Sequence, residues 1–505
     1  MRQILDHRGN PIQRSADRGA RDLRGRYDAA QLTEENRRHW SQADNLSARA
    51  ANSPDVRRRL RDRCRYEVAN NSWASGVADA LADFMIGTGP RLQVLTEDRE
   101  FNQLVESEWR EWSEAVGLAD KLWLLRRVRA VDGEGFLFLS TDDGLDPITL
   151  DLQEYEAEQI ATPYALGLNP LGVDGIELSR VRKPAYYHLL DEHPGDNLGL
   201  GPFGGYQRIP AAQVIHWFRA TRPGQYRGVP EFTQSIPLFA NLRRYRDATI
   251  AAAETAADFA AVLYSDLPPD SDALEGDPFE TTKIERRMMT TLPAGWKMGQ
   301  FKAEQPATGH PEFVRTCLTE LATGHGTTYE VASGDYSNVN YSSGKLGHQR
   351  FQRAIEVDRA RMEKSCLNRI LRAWLVEAVM VRLVPDLTSR ADGWAHRWLW
   401  PGVESIDPVK DATAAETRLR TFTTTFSEEC YREGIDPETR VEEIARDVEM
   451  FAEHGLPSPY GQPAPAPAQS PDPSTDGAST DGTPPDAPRN GRAAGQALVH
   501  RNGRL

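Results

Sequence analysis

Residues 329–345 read YEVASGDYSNVNYSSGK. Ahead of them, residues 311–324 read PEFVRTCLTELATG. Pro stands at the start of that segment and Gly at its end, and Phe313, Cys317 and Leu321 follow one another at i, i+4 and i+8, which predicts a compact helix. Behind them, residues 346–384 place Phe351, Ile355, Met362, Cys366, Ile370 and Trp374 at spacings of four and seven, one face of a long helix. The stretch between is built of Gly, Ser, Asn, Asp and Tyr, which favour turns and caps over helix interiors. It is longer and richer in hydrogen-bonding side chains than a plain helix connection. It is therefore the segment around which the rest of the chain has to be explained.

Ser342-Ser343-Gly344-Lys345 invites comparison with a phosphate-binding loop, G-x-x-x-x-G-K-[ST]. The first glycine position is Val339 and the residue after Lys345 is Leu346, so both the turn-forming glycine and the metal-binding hydroxyl are missing. A helix precedes the motif where a strand is required. These departures exclude a nucleotide hydrolase of that type. No G-x-S-x-G elbow and no H-E-x-x-H pair occurs. Cys317 and His325 do not make a thiol pair, because Cys317 belongs to the apolar stripe of its helix. Asp132 and Glu134 read as a turn between a helix and a strand. His188 and His193 lack a third ligand at metal-binding spacing. No catalytic residue, cofactor or metal is expected.

The 505-residue chain allows two to four domains. Cys64, Cys317, Cys366 and Cys430 stand far apart, as free thiols do in a reducing compartment. The N-terminus has no apolar run, and no stretch approaches the roughly 18 apolar residues of a spanning helix, so neither a signal peptide nor a membrane segment is expected. A net charge of −14 argues against a broad grip on duplex DNA, which Lys and Arg make by neutralising phosphates. It leaves room for a protein that DNA passes without sticking. Arginines crowd the first 66 positions, ending in RRRLRDRCR, whereas residues 97–158 hold 17 acids against 6 bases. Such asymmetry suits subunits meeting side to side and equally suits two solvated faces of unrelated helices, which is how the arginine cluster reads.

Along the chain, residues 1–50 read as a flexible, Arg-rich arm. Ser53-Pro54 starts a helix that runs to about Asn70-Asn71, and a second runs from Ser72 to Gly87-Thr88-Gly89. Residues 100–112 and 120–131 are helical with Trp109, Trp112 and Trp123 on apolar faces. FLFLS, ITLDLQ, AYYHLL and QVIHWF read as strands of a small mixed sheet. Residues 231–264 form one long helical run of roughly 50 Å at 1.5 Å per residue. An irregular acidic segment follows. Asp407-Pro408 and Asp436-Pro437 each start a helix, and residues from 456 onward, rich in Pro, Ser and Asp, read as a disordered tail.

The order of these elements resembles the portal proteins of tailed double-stranded DNA phages, lambda family. The resemblance lies in Asn70-Asn71-Ser72-Trp73 followed by Gly87-Thr88-Gly89, in the passage 126–138 with Asp132-Gly133-Glu134, and in Arg219…Arg222-Pro223-Gly224-Gln225…Arg227-Gly228-Val229-Pro230. It continues in Asp335-Tyr336-Ser337-Asn338-Val339-Asn340-Tyr341-Ser342-Ser343 and the helix pair after Asp407-Pro408-Val409-Lys410. It covers roughly residues 15–455.

The resemblance implies an α+β, predominantly α fold with wing, stem, clip and crown regions, assembled as a ring of about twelve copies at the capsid vertex. It implies a flexible arm at 1–50, a wing at 51–230, a long helix leading into the stem at 231–264 and a clip at 265–310. A second stem helix then falls at 311–325, a tunnel loop at 326–345, a long wing helix at 346–390, crown helices at 391–455 and a disordered tail at 456–505. DNA would enter and leave through the ring. The partners implied are further copies of the chain, double-stranded DNA without sequence specificity, the terminase large subunit, major capsid and scaffolding proteins, and a head–tail adaptor. The setting is the virion, after assembly in the host bacterial cytoplasm.

The channel-lining residues expected are Asp335, Tyr336, Ser337, Asn338, Val339, Asn340, Tyr341 and Lys345. One physical argument agrees with this. Converging arginines would trap phosphate, each contact adding affinity, whereas Ser337, Asn338, Asn340 and Tyr341 are neutral donors that touch backbone oxygens weakly. The alternatives are a packaging nuclease or NTPase, which needs an acidic metal cluster or a complete phosphate loop, and a non-catalytic assembly scaffold that binds partners through its tail and arm.

Overall fold

The computed structural model describes residues 38–41, 43–163, 172–196, 205–258, 262–265, 296–299, 309–337, 339, 341–385, 395–402 and 407–460. After a short α1 (Ala48–Ala51) come α2 (Pro54–Asn70) and α3 (Ser72–Ile86). Ser53 caps α2 by accepting from the Val56 amide, and Asn71 caps α3 by accepting from the Trp73 amide. A strand β1 (Arg91–Val94) leads to α4 (Arg99–Ala115) and α5 (Leu118–Val131). Next are β2 (Glu134–Thr141), β3 (Leu150–Tyr155), β4 (Gly172–Val173), β5 (Ile176–Leu178), β6 (Pro184–Leu190), β7 (Tyr206–Pro210) and β8 (Val214–Phe218).

The strands do not make one mixed sheet. They form a three-stranded sheet in the order β3-β2-β8 and a four-stranded sheet in the order β4-β5-β6-β7, antiparallel throughout. Short turns between consecutive strands permit antiparallel pairing without crossover helices. Phe136, Phe138, Ile160, Ile176, Tyr187 and Leu189 form an apolar cluster with Val214.

The expected single helix over 231–264 is also interrupted. Glu231–Gln234 is one 3-10 turn, α6 (Ile236–Asp258) has 23 residues, or about 34 Å, and β9 (Val262–Ser265) is a strand. β9 pairs antiparallel with β10 (Trp296–Gly299), its chain direction reversed. Backbone pairing there overrides the Ala-rich helical composition that precedes it. Residues 266–295 and 300–308, most of the expected clip, lie outside the described residues, as do residues 1–37 of the arm and 461–505 of the tail.

α7 (His310–His325) matches the compact helix expected, with Cys317 and Leu321 buried; Phe313 is half exposed and packs edge-on against Tyr245 of α6 at 4.9 Å. A short α8 (Tyr329–Ser333) follows. α9 (Tyr341–Met362) continues through one π-type turn, Glu363–Leu367, into α10 (Asn368–Met380). Phe351, Ile355, Met362, Cys366, Ile370 and Trp374 are all buried, so the stripe read from the sequence is the core-facing one. Trp374 meets Trp109 of α4 edge-on at 5.5 Å, and Trp109 meets Trp398 of β11 (His396–Leu399) at 5.5 Å. β11 pairs with β1. α11 (Pro408–Arg420), capped by Asp407, and α12 (Phe426–Arg432) follow. Residues 438–505 separate as a unit of their own, whose described part holds nearly all of α13 (Pro437–Glu453).

Candidate functional site

More than half of the opening stretch is helical. α8 occupies its start, capped by Thr328, whose hydroxyl accepts from the Val331 amide, and α9 begins at Tyr341. Within the span expected to be a tunnel loop, 326–345, residues 329–333 and 341–345 are therefore helical. Cap chemistry explains the difference: Thr328 opens a turn of helix and Gly334, at φ 72, closes it. Ser342, Ser343, Gly344 and Lys345 stand in the first turns of α9, so they form no loop around a phosphate.

The loop organises around Asp335. Its Oδ1 accepts from the Ser337 amide (3.0 Å) and hydroxyl (2.6 Å), and its Oδ2 accepts from the Tyr329 hydroxyl (3.2 Å). The Ser337 hydroxyl bond and then the Ser337 amide bond hold the Asp335 carboxyl below the usual range. Tyr336 is 62% exposed, and Ser337 is exposed beside it. Val339 is turned onto α9, where its Cγ1 would lie 2.8 Å from a Cβ on Gly344. Lys345 Nζ lies 3.4 Å from Asp411 Oδ1 of α11. The structure therefore brings Asp335, Tyr336 and Ser337 together and directs Val339 and Lys345 to other tasks. Asn338 and Asn340 lie outside the described residues, and of Tyr341 the structure describes the backbone alone.

The arginine cluster of α2 is divided: Arg58, Arg59 and Arg63 are exposed, as expected, but the others turn inward. Arg57 and Arg61 are buried, and Arg65 is half-buried. α2 carries few large apolar residues, so its inward face is made of arginines that meet acids from distant segments. Glu134, fully buried at the start of β2, pairs with Arg61, with Arg227 Nη2 at 2.7 Å and with His216 Nε2 at 3.0 Å. It also accepts from the Gly228 amide at 2.7 Å. Burial would raise this carboxyl, but Arg227, the His216 hydrogen bond and Arg61 together hold it well below the usual range. Burial keeps His216 below its ordinary pKa in spite of Glu134. A neutral imidazole with its proton on Nε2 then donates to Glu134 and accepts from Tyr187 at Nδ1, 3.3 Å away.

Arg227 spends its remaining protons on the Ile160, Ala157 and Asp174 carbonyls, and Arg57 pairs with the Asp174 carboxylate. Arg65 grips Asp132 through Nε (2.7 Å) and Nη2 (2.9 Å) and also reaches Glu156 and Glu158, each at 3.0 Å. His193 joins Glu156 at 3.3 Å, so it sits with two acids and an arginine, apart from His188, which pairs with Glu177. Two backbones touch at the same place. Gly133, at φ 90, would put a Cβ 2.3 Å from the Val229 carbonyl carbon, and a Cβ on Gly228 would lie 2.1 Å from the Gly133 oxygen.

A second buried knot lies at Glu231, in the 3-10 turn before α6. Arg126 (3.1 Å) and Arg129 (3.0 Å) hold it, and Arg129 also pairs with Asp358 of α9. Burial opposes ionisation, yet Arg126 and Arg129 bring Glu231 down to about 2. Beside it, His325 at the end of α7 bonds Ser235 (2.9 Å) and packs on Phe232 (4.7 Å); burial lowers His325 to about 4. The junction between α6 and α7 is thus fastened by polar and aromatic contacts at once. Sequence reading missed both knots; the one signal was the i, i+4 spacing of Arg57, Arg61 and Arg65 on a helix otherwise short of apolar residues.

The passages that meet in the first knot, around Asp132-Gly133-Glu134 and Arg227-Gly228-Val229, are two of those on which the resemblance rested. Residues 33–359 match the family described as Phage portal protein, lambda family. The chain belongs to the lambda family of phage portal proteins. A probable portal protein of Halomonas phage phiHAP-1 is 26% identical over 434 residues, 80% of this chain and 82% of that protein. Portal protein B of Escherichia phage lambda is 22% identical over 432 residues, 73% of this chain and 79% of that one. A chain from the neck of an empty gene transfer agent particle, solved with C6 symmetry, overlays with a TM-score of 0.41 at 14% identity, covering 73% of this chain and 91% of that one. Among the described residues no helix is long and apolar enough to cross a membrane.

Proposed function

We propose that this portal protein assembles about twelve copies into a ring at one capsid vertex and conducts double-stranded DNA without acting on it chemically. The observation that carries the reading is the family match over residues 33–359, which takes in both buried knots, the α6–α7 pair and the loop. In this reading residues 51–230 and α9–α10 are the wing, α6 and α7 the stem, residues 265–310 the clip, and residues 391–455 the crown. The terminase large subunit, capsid and scaffolding proteins and a head–tail adaptor dock on the ring, which forms in the host cytoplasm and ends in the virion.

The chemistry of the loop fits a conduit. Asp335 is ionised and its oxygens are already engaged, so a ring of them repels phosphate and offers it no cationic trap. Tyr336 and Ser337 present neutral groups beside it. Electron microscopy of the purified full chain tests the assembly: rings with a central passage wide enough for duplex DNA are expected, and a monomer at high concentration overturns the reading. Deleting residues 334–340 is expected to leave rings intact and to reduce packaged or retained DNA; normal packaging overturns the role given to the loop.

A further inference from the structure

The β5–β6 hairpin ends in a tip whose backbone is fixed. The Ser179 amide donates to the Lys183 carbonyl (2.7 Å), the Arg182 amide to the Ser179 carbonyl (2.9 Å), and the Lys183 amide to the Ser179 hydroxyl (3.1 Å). Arg182 adopts φ 58, and its carbonyl accepts from the Tyr226 hydroxyl at 3.0 Å. This frame presents Arg180, Val181, Arg182 and Lys183, all exposed, with Val181 at 75%. Among the described residues no carboxylate meets the side chains of these three cations. A stiff tip with three cations around an exposed valine, on a chain of net charge −14, is built to meet an anionic surface.

The same chain carries such a surface. On α4, Phe101, Val105, Trp109 and Trp112 face the core. At about 100° per residue, Glu100, Leu104, Glu108, Glu111 and Glu114 share another face. Leu104 is 37% exposed and lies amid the four acids. Tip and face are complementary in sign and in layout, each an apolar side chain within a set of like charges. Contact between two different patches of identical chains is heterologous, the kind of contact that closes into a ring. We propose that the β5–β6 tip seats on the α4 face of a second copy, with Val181 against Leu104 and the cations against Glu100, Glu108, Glu111 and Glu114. The proposal rests on the ring reading and names the surfaces that would make the ring.

Three full-length variants test it, each checked for folding by circular dichroism: Arg180→Glu/Arg182→Glu/Lys183→Glu, Glu108→Lys/Glu111→Lys/Glu114→Lys, and the two triples combined. The readout is the ring fraction by light scattering and electron microscopy. Each triple is expected to lower the ring fraction at least tenfold at low salt, and the combined chain to recover it, because the charges then match again with signs exchanged. Wild-type rings are expected to weaken as salt rises. Should a triple fail to fold, Val181→Asp supplies the same test, with loss of rings expected. Triples that assemble like wild type, or a combined chain no better than either triple, overturn the proposal and leave the ring reading standing. A tip triple that forms normal rings but retains less DNA also overturns it and assigns the tip to phosphate. Absence of rings from the wild-type chain overturns the ring reading itself.

Discussion

At the scale of the residue, Glu134 shows what a buried charge does when fully partnered. Removing one member of such a set leaves the others buried without compensation, which costs about 3–5 kcal/mol. Glu134→Gln is therefore expected to lower the unfolding free energy by that order in urea titration, because Arg61 and Arg227 remain buried and lose their counter-charge. Gly133→Ala is expected to cost roughly 2–4 kcal/mol, combining a positive φ with a backbone clash at Val229. The pH dependence follows from the histidines first. His216 and His325 are depressed in the fold, so below pH 6.5 the unfolded chain binds protons that the folded chain does not, and stability falls as pH drops. For His325 the loss extends to about pH 4, where the folded side chain also titrates. Glu231 adds a second window: its contribution is complete above the unfolded carboxylate pKa of 4.5 and is lost as pH falls from there to about 2. Melting temperature against pH should therefore decline in two stages, and His325→Gln should shrink the first stage to the His216 share while leaving the second. The sequence displayed the arginines of α2 but not their burial, because the acids that neutralise Arg57 and Arg61 stand more than 70 residues away and the i, i+4 spacing of the arginines is the one local mark of an inward charged face.

At the scale of the element, apolar periodicity was the reliable guide and polar composition the unreliable one. The stripe from Phe351 to Trp374 is legible because a face that must leave water repeats at the helical period, and it survives the π-type turn at Glu363–Leu367. Trp374→Ala should accordingly cost about 3–5 kcal/mol, measured by denaturant unfolding, since it empties a site shared with Trp109 and Trp112. The opening stretch behaved differently. Its Gly, Ser, Asn and Asp read as loop from end to end, yet Thr328 and Gly334 bracket a helical turn and Tyr341 begins the next helix. Capping residues and loop residues are the same residue types, so composition alone does not separate a helix end from a connection. Of the candidate site, the turn at Asp335–Ser337 was legible as a turn from its Gly, Asp and Ser composition, and the Asp335–Ser337 hydrogen bonds hold it. The inward lean of Val339 and the pairing of Lys345 with Asp411 depend on contacts with α9 and α11 that no local pattern encodes.

At the scale of the whole molecule, the distribution of buried side chains bears on assembly. The two ion knots and the tryptophan cluster bind α2, α4, α5, β2, β8, α9 and α10 into one frame. Residues 438–505 form a unit of their own, and the composition of the last 45 residues, 461–505, gives a core nothing to bury. If ring contacts are made by the frame, then a chain ending at residue 460 retains every surface needed to close the ring. Its ring fraction by light scattering and electron microscopy should equal that of the full chain at the same protein and salt concentration. A loss of rings on truncation would place part of the subunit contact in the tail and shift the weight of assembly away from the frame. An unchanged ring with impaired head assembly would instead assign the tail to a capsid-side partner. The salt dependence separates these cases further: contacts made by charged faces of the frame weaken with screening in the full and the truncated chain alike, so the two titrations should superimpose.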